Sequence, residues 1–160
     1  MLTFVAGTAA DVFGGELARL IDAKLAIAPG VEAYRSEPVD AVGWRALQTR
    51  VLRTLDVAPQ LTSVDAYQAV YVPGRDAGVE HVPVGTLADP LQVGSLDALL
   101  EELRRFAAAA SLPTDDLELM KLAAELLEAD EPDPEMETYV QLMLSAKQAF
   151  ARQQPLWVVI

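Results

Sequence analysis

The spacing of apolar residues predicts a strand close to each end of the chain. Leu2 to Ala6 is a short apolar run, and Leu156 to Ile160 is apolar throughout. Both runs are too short for a typical helix and contain residues that favour strands. Because an apolar strand needs cover on both faces, we expect the C-terminal strand to insert into a sheet. Its neighbour there would be the N-terminal strand or a strand at 66–72.

Three interior segments also have the pattern of strands. Residues 66–72 are largely apolar on both sides of the alternation, which predicts a strand covered on both faces. Residues 31–35 predict a second, short strand. Residues 79–84 follow a turn-forming segment and predict a hairpin partner for 66–72, but Pro83 restricts that partner to a sheet edge.

Five longer segments have apolar residues at helical spacing. Asp40, Ser95 and Thr114 are the predicted N-caps of three of them. The last segment, which includes Phe150, is apolar over so much of its circumference that we expect it to be mostly buried. Trp44, early in the second segment, is expected to be partly exposed as an interface anchor. The predicted helices cover residues 11–26, 41–55, 95–110, 114–129 and 135–152.

These elements predict a single globular domain over residues 1–160. We expect an α+β fold, with a mixed α/β arrangement as the alternative. A small sheet of about three to five strands, including the N- and C-terminal strands, would be covered by about five helices. The three C-terminal helices would pack as one layer against that sheet.

The composition narrows the class of protein. Hydrophobic residues make up 52% of the chain, which excludes the polar composition of disordered proteins. No apolar run approaches the roughly 18 residues of a membrane span, and the N-terminus lacks the basic segment of a secretory signal. The chain has no cysteine, which fits a reducing compartment. We therefore expect a cytoplasmic protein that has no membrane partner.

Negative charge is concentrated in the second part of the chain. The net charge is −12, of which residues 61–160 contribute −11. A field of this sign repels phosphate backbones, so we expect no nucleic-acid partner. It favours a basic protein partner instead.

The densest acidic segment suggests where that partner would bind. Ten of the 23 residues from Asp115 to Glu137 are acidic, and only Lys121 opposes them. Acidic residues stabilise the start of a helix, but several of these lie at the predicted end of one, where negative charge is unfavourable. Our leading hypothesis is a non-enzymatic acidic protein-binding module, similar in action to inhibitors, immunity proteins or antitoxins. The residues that would contact its basic partner are Glu125, Glu128, Asp130, Glu131 and Asp133.

One alternative is a protein that binds an anionic small molecule, or an enzyme, with a pocket at the strand ends. The turn after the first strand would present backbone N–H groups at a helix N-terminus, although it lacks the lysine of a phosphate-binding loop. Arginines on and near the second helix would grip the anion. The residues of this alternative site are Gly7, Thr8, Arg35, Arg45 and Arg50.

A second alternative is a metal-dependent phosphoryl hydrolase. Glu101 and Glu102 on one helix would face Glu125 and Glu128 on the next, and four carboxylates between helices can hold divalent cations. However, the Glu-x-x-His motif of di-metal bundles is absent from the sequence. We therefore assign no catalytic residue, metal site or cofactor, and favour a protein that is not an enzyme.

Overall fold

The strands of the protein are short and mostly apolar, as their sequences predict. The fold is taken from a computed structural model, which describes residues 1–28, 30, 32–65, 69–85 and 87–160. Among these residues, six strands form one open sheet. The strands are β1 (Thr3–Ala6), β2 (Tyr34–Arg35), β3 (Ala69–Val72), β4 (Glu80–Val82), β5 (Leu91–Ser95) and β6 (Leu156–Val159).

The described part of the chain also forms six α-helices, so the fold is a small mixed α/β domain. A 3₁₀ turn at Ala9–Asp11 precedes the first of them. The helices are α1 (Gly15–Leu25), α2 (Ala41–Thr54), α3 (Pro59–Thr62), α4 (Leu96–Ala110), α5 (Asp116–Glu128) and α6 (Pro134–Arg152).

The C-terminal strand lies in the middle of the sheet. The strand order is β2-β1-β6-β3-β5-β4, and β6 is antiparallel to both of its neighbours. The indole N–H of Trp157 also donates to the carbonyl of Gly7, over 2.9 Å. The prediction that this strand enters the sheet is confirmed, and it contacts both predicted neighbours because it lies between them.

The sheet separates two apolar cores, and alternate residues of each strand enter different ones. Leu156 and Val158 enter the larger core, which is closed by α2 to α6. Trp157 enters the smaller core, which is closed by α1. The alternation follows from the two-residue period of a strand.

Helix α6 is the element around which the other helices of the larger layer pack. It contacts α2, α4 and α5 and also β1, β2 and β6. Gly43 permits the close approach of α2, since a Cβ at this position would lie 2.2 Å from the carbonyl oxygen of Pro134. The prediction that this helix is mostly buried is confirmed. Phe150 is an exception, because it lies beside the groove between α4 and α6 and stays 43% exposed.

The predicted number of strands was too low. β5 was not predicted from the sequence, because it is short, contains Gly94 and continues directly into α4. β5 pairs in parallel with β3 and antiparallel with β4. The hairpin prediction was therefore wrong about the partner, because β5 separates β4 from β3. The remaining prediction for β4, an edge strand, is confirmed.

Several predicted boundaries also move. β2 is limited to Tyr34–Arg35, and Val31 lies outside the described residues, as do residues 66–68 of the predicted central strand. The described part of that strand, β3, is buried on both faces, as expected. Asp40 and Ser95 cap their helices, but the N-cap of α5 is Asp115 instead of Thr114.

Three further predictions, about local exposure, helix length and helix layering, were wrong. Trp44 is only 2% exposed, because its ring packs against Phe4 in the larger core. The first helix starts at Gly15 instead of residue 11, since Gly14 is extended and Gly15 has φ of +56°. The three C-terminal helices do not form a single layer: α4 and α6 contact the sheet, whereas α5 packs chiefly on α6.

Candidate functional site

The N-terminal end of α5 is held firmly against α6. The hydroxyl of Tyr139 donates to the carbonyl of Pro113 over 2.6 Å. The ammonium of Lys147 donates to the carbonyl of Thr114 over 2.7 Å and lies 2.5 Å from a carboxylate oxygen of Asp116. These three contacts, all from α6, fix the start of α5.

The other end of α5 borders an open recess. This cavity has a volume of about 230 Å³ and is formed between the last turns of α5, the first turns of α6 and the loop before α2. Its walls are mainly apolar. Two carboxylates, those of Glu37 and Glu137, are also part of the lining, and no lysine or arginine is found among the described residues around it. The lining residues are Glu37, Pro38, Ala123, Leu126, Leu127, Ala129, Pro132, Glu137 and Gln141.

The five predicted contact residues lie beside this recess, and we refer to them as the acidic corner: Glu125, Glu128, Asp130, Glu131 and Asp133. All five are exposed. In the sequence they are interspersed with residues that line the recess. Leu126, Leu127, Ala129 and Pro132 each stand next to a member of the corner. None of the five carboxylate residues lines the recess itself, but each is next in the chain to a residue that does.

The members of the acidic corner differ in structural role. The Asp133 carboxylate accepts the backbone N–H of Glu135 over 3.0 Å and is the N-cap of α6. In the part of the chain that the structure describes, none of the other four forms an ion pair. Glu125 and Glu128 occupy the last turn of α5, which has no basic residue to balance the negative end of its dipole.

The backbone N–H groups of the alternative anion site already have partners. The Thr8 N–H donates to the carboxylate of Asp11 over 2.8 Å, and the Ala9 N–H donates to Asp22 over 3.0 Å. The Gly7 N–H donates to the carbonyl of Pro155. An anionic ligand would have to displace the protein's own carboxylates from this turn.

The three arginines of that alternative lie in different surroundings. Arg35 donates to the backbone carbonyl of Asp11 over 2.6 Å. Arg50 lies 3.0 Å from Glu135 and stacks over the ring of Phe106, with its guanidinium carbon 5.5 Å from the centroid. Arg45 lines a separate recess of about 290 Å³ beside Trp44. Arg35 and Arg50 thus have structural partners, and Arg45 lies apart from both.

The carboxylates of the hydrolase alternative do not form a metal site. Glu102 is only 4% exposed, and its two oxygens accept the backbone N–H groups of Gln60 and Leu61, each over 3.0 Å. It therefore caps the start of α3, and Glu125 and Glu128 lie in solvent at the far end of α5. Among the described residues no group of three or more histidine, aspartate or glutamate side chains could hold a metal ion.

A buried polar network around α3 was not predicted from the sequence. The side-chain oxygen of Gln60 accepts the N–H of Ser95 over 2.8 Å, and the hydroxyl of Tyr71 donates to the Gln60 carbonyl over 2.6 Å. A Cβ at Gly94 would lie 2.3 Å from this Gln60 oxygen, so the glycine makes room for the amide. The signal in the sequence was a glycine inside an apolar strand, which marks a close approach.

Burial is the largest influence on the pKa values of Glu102 and Tyr71 in this network. It raises the pKa of Glu102 above its ordinary value of 4.5, while the two N–H donors from α3 oppose the rise. It also raises the pKa of Tyr71, and the nearby charge of Glu102 acts in the same direction. The groups serve the core, because their polar atoms are occupied by contacts within the protein.

Comparison of the chain with models of protein families, with curated proteins and with solved structures gives no match in any of the three. In the described chain, no helix combines the length and the apolar character that crossing a membrane requires.

We predict that the stabilising effect of Glu102 depends on pH. A pKa that is raised by folding means that the folded state holds the proton more tightly. The contribution is then complete below about pH 4.5 and is lost as the pH rises through the folded pKa. Glu102→Gln removes this titration, so the free energy of unfolding of the wild type relative to E102Q should grow as the pH falls from 7 to 4.5. Chemical denaturation at several pH values measures it, and a difference that is constant or shrinks contradicts the assignment.

We also predict opposite effects for two glutamates at the two ends of α5. Glu128→Gln removes a charge from the negative end of the helix dipole and should raise the free energy of unfolding by about 0.3–1 kcal/mol at low salt. Glu118→Gln, the matched control in the first turn, should lower it by a similar amount. Denaturation curves at low and high salt test this, since both effects should weaken with salt. Effects of the same sign would show that the dipole does not explain them.

Proposed function

We propose that the protein is a non-enzymatic binding module whose acidic corner docks on a basic surface of a protein partner. It would act as inhibitors, immunity proteins and antitoxins do, by binding a protein partner without catalysing a reaction. The proposal includes a cytoplasmic location, for which the lack of cysteine is the support.

One observation supports the proposal: carboxylates without an ion-pair partner among the described residues occupy the same stretch of chain as residues that line an apolar recess. Glu125, Glu128, Asp130 and Glu131 have no ion-pair partner in the described structure, and beside them is a cavity of about 230 Å³ with mainly apolar walls. Their accumulation at the end of α5 works against local stability. An apolar centre with a charged rim is the usual anatomy of a protein–protein interface.

The electrostatics favour speed and selectivity of association. A negative corner on a chain with a net charge of −12 attracts basic surfaces from a distance and repels acidic ones. Charge complementarity of this kind raises the association rate and the specificity more than it raises the affinity. The alternatives have less support, because the N–H groups of the anion site are occupied and the four glutamates of the metal site are dispersed.

Two variants with the same change in charge test the proposal. The corner variant carries E125Q, E128Q, D130N and E131Q, and leaves Asp133 in place as the cap of α6. The control variant carries E16Q, D56N, D76N and D89N, four exposed acidic residues elsewhere. We expect proteins from the source organism that bind the wild type to bind the control variant equally and to be lost from the corner variant.

Quantitative mass spectrometry of the captured proteins measures this, with binding expected to weaken as salt increases. The proposal requires that removing the four charges of the corner reduces partner binding more than removing four charges elsewhere. Partners that persist on the corner variant, or that are lost equally from both variants, overturn the proposed function.

A further inference from the structure

Helix α5 has a second apolar face that no other described element covers well. Leu117, Met120 and Leu127 are 75%, 61% and 71% exposed, and Ala124 between them is exposed as well. We call these four residues the α5 stripe. The helix rests on α6 through its other side, where Leu119 is buried and Leu122 and Leu126 are partly buried.

The α5 stripe has the geometry of a helix-binding surface. Its residues are spaced by three, four and three positions, which places them within about 80° of one another around the helix and along about 15 Å of its axis. That length matches about three turns of a second helix. Leu127 belongs both to the stripe and to the wall of the recess, so the two apolar surfaces are continuous.

Carboxylates border this surface on both sides. By the helical period, Glu128 lies about 20° and Glu125 about 80° from the stripe on one side, and Glu37 and Glu137 lie in the recess on the other. Lys121, the only basic residue of α5, lies between Glu128 and Glu125. Four carboxylates and one ammonium thus border the apolar track, so its net charge is negative.

We infer that the occupant of this surface is an amphipathic helix of the partner, with apolar residues in a stripe and lysine or arginine on both flanks. The inference rests on the proposed function and names the structural class of the partner segment. Apolar side chains at three- and four-residue spacing would pack on the α5 stripe, with one side chain in the recess. The flanking cations would meet the carboxylates on each side.

Charge argues against a second copy of the chain as the occupant. Each copy carries a net charge of −12, and α5 has acidic residues in both its first and its last turn, so a twofold pairing of α5 helices, parallel or antiparallel, would bring like charges together. Juxtaposed like charges disfavour such a dimer.

The test uses two synthetic peptides of identical composition, made of leucine and lysine. One has the leucines at helical spacing, and the other has them in an order that gives no apolar face. Fluorescence anisotropy measures peptide binding to the wild type, to the corner variant and to two new variants. The stripe variant carries L117S, M120S and L127S, and the apolar control variant carries L52S and V57S. Leu52 and Val57 are exposed apolar residues elsewhere. Circular dichroism confirms that each variant is folded.

We expect the helical-spacing peptide to bind the wild type and the apolar control variant with the same affinity. Its affinity for the stripe variant should be lower by about tenfold or more. The scrambled peptide should bind the wild type weakly. The two peptides could instead bind the wild type equally, with binding that is unchanged in the stripe variant and reduced in the corner variant. That result overturns the helical partner and leaves the proposed function intact. Undiminished binding to the corner variant overturns both. A wild-type dimer that becomes a monomer in the stripe variant, seen by sedimentation, assigns the surface to a second copy and also overturns the inference.

Discussion

The antiparallel pairing of β6 with both β1 and β3 is the constraint on which the rest of the structure depends. Without β6, the sheet would divide into β2-β1 on one side and β3-β5-β4 on the other. The strand joins the last residues of the chain to the first, and the Trp157 indole adds a bond to Gly7. Its alternate residues help to build both cores, so the two layers of helices depend on the same four residues.

The position of β6 also determines which surface is exposed. β6 follows α6 closely, so its central place in the sheet sets α6 across the larger core, against α2, α4 and β1. Helix α6 contacts the sheet through β1, β2 and β6, whereas α5 packs chiefly on α6 instead of on the sheet. A helix in that outer position has one buried face and one free face. The α5 stripe and the acidic corner both lie on parts of α5 and its following loop that α6 does not cover.

Much of the fold could be predicted because local patterns were strong and agreed with one another. The apolar run at Leu156–Ile160 indicated an inserted strand, and Asp40 and Ser95 marked helix starts correctly. Other features depended on long-range contacts that no local pattern reveals. β5 is a strand because β3 and β4 pair with it, and Glu102 is buried because α3 supplies two N–H groups. The concentration of acidic residues at the end of α5 can be read from the sequence, whereas the recess beside it and the exposed stripe require the packing of α5 on α6.

Nuclear magnetic resonance would locate directly the binding that we propose, that of a basic partner at the end of α5. A lysine-rich amphipathic peptide would be titrated into the isotopically labelled protein while the backbone amide signals are followed. We expect the largest shifts in residues 117–133 and at Glu37, Glu137 and Gln141, around the recess. Shifts spread over all acidic surfaces, or centred on Thr8, Arg35 and Arg45, would contradict the proposal.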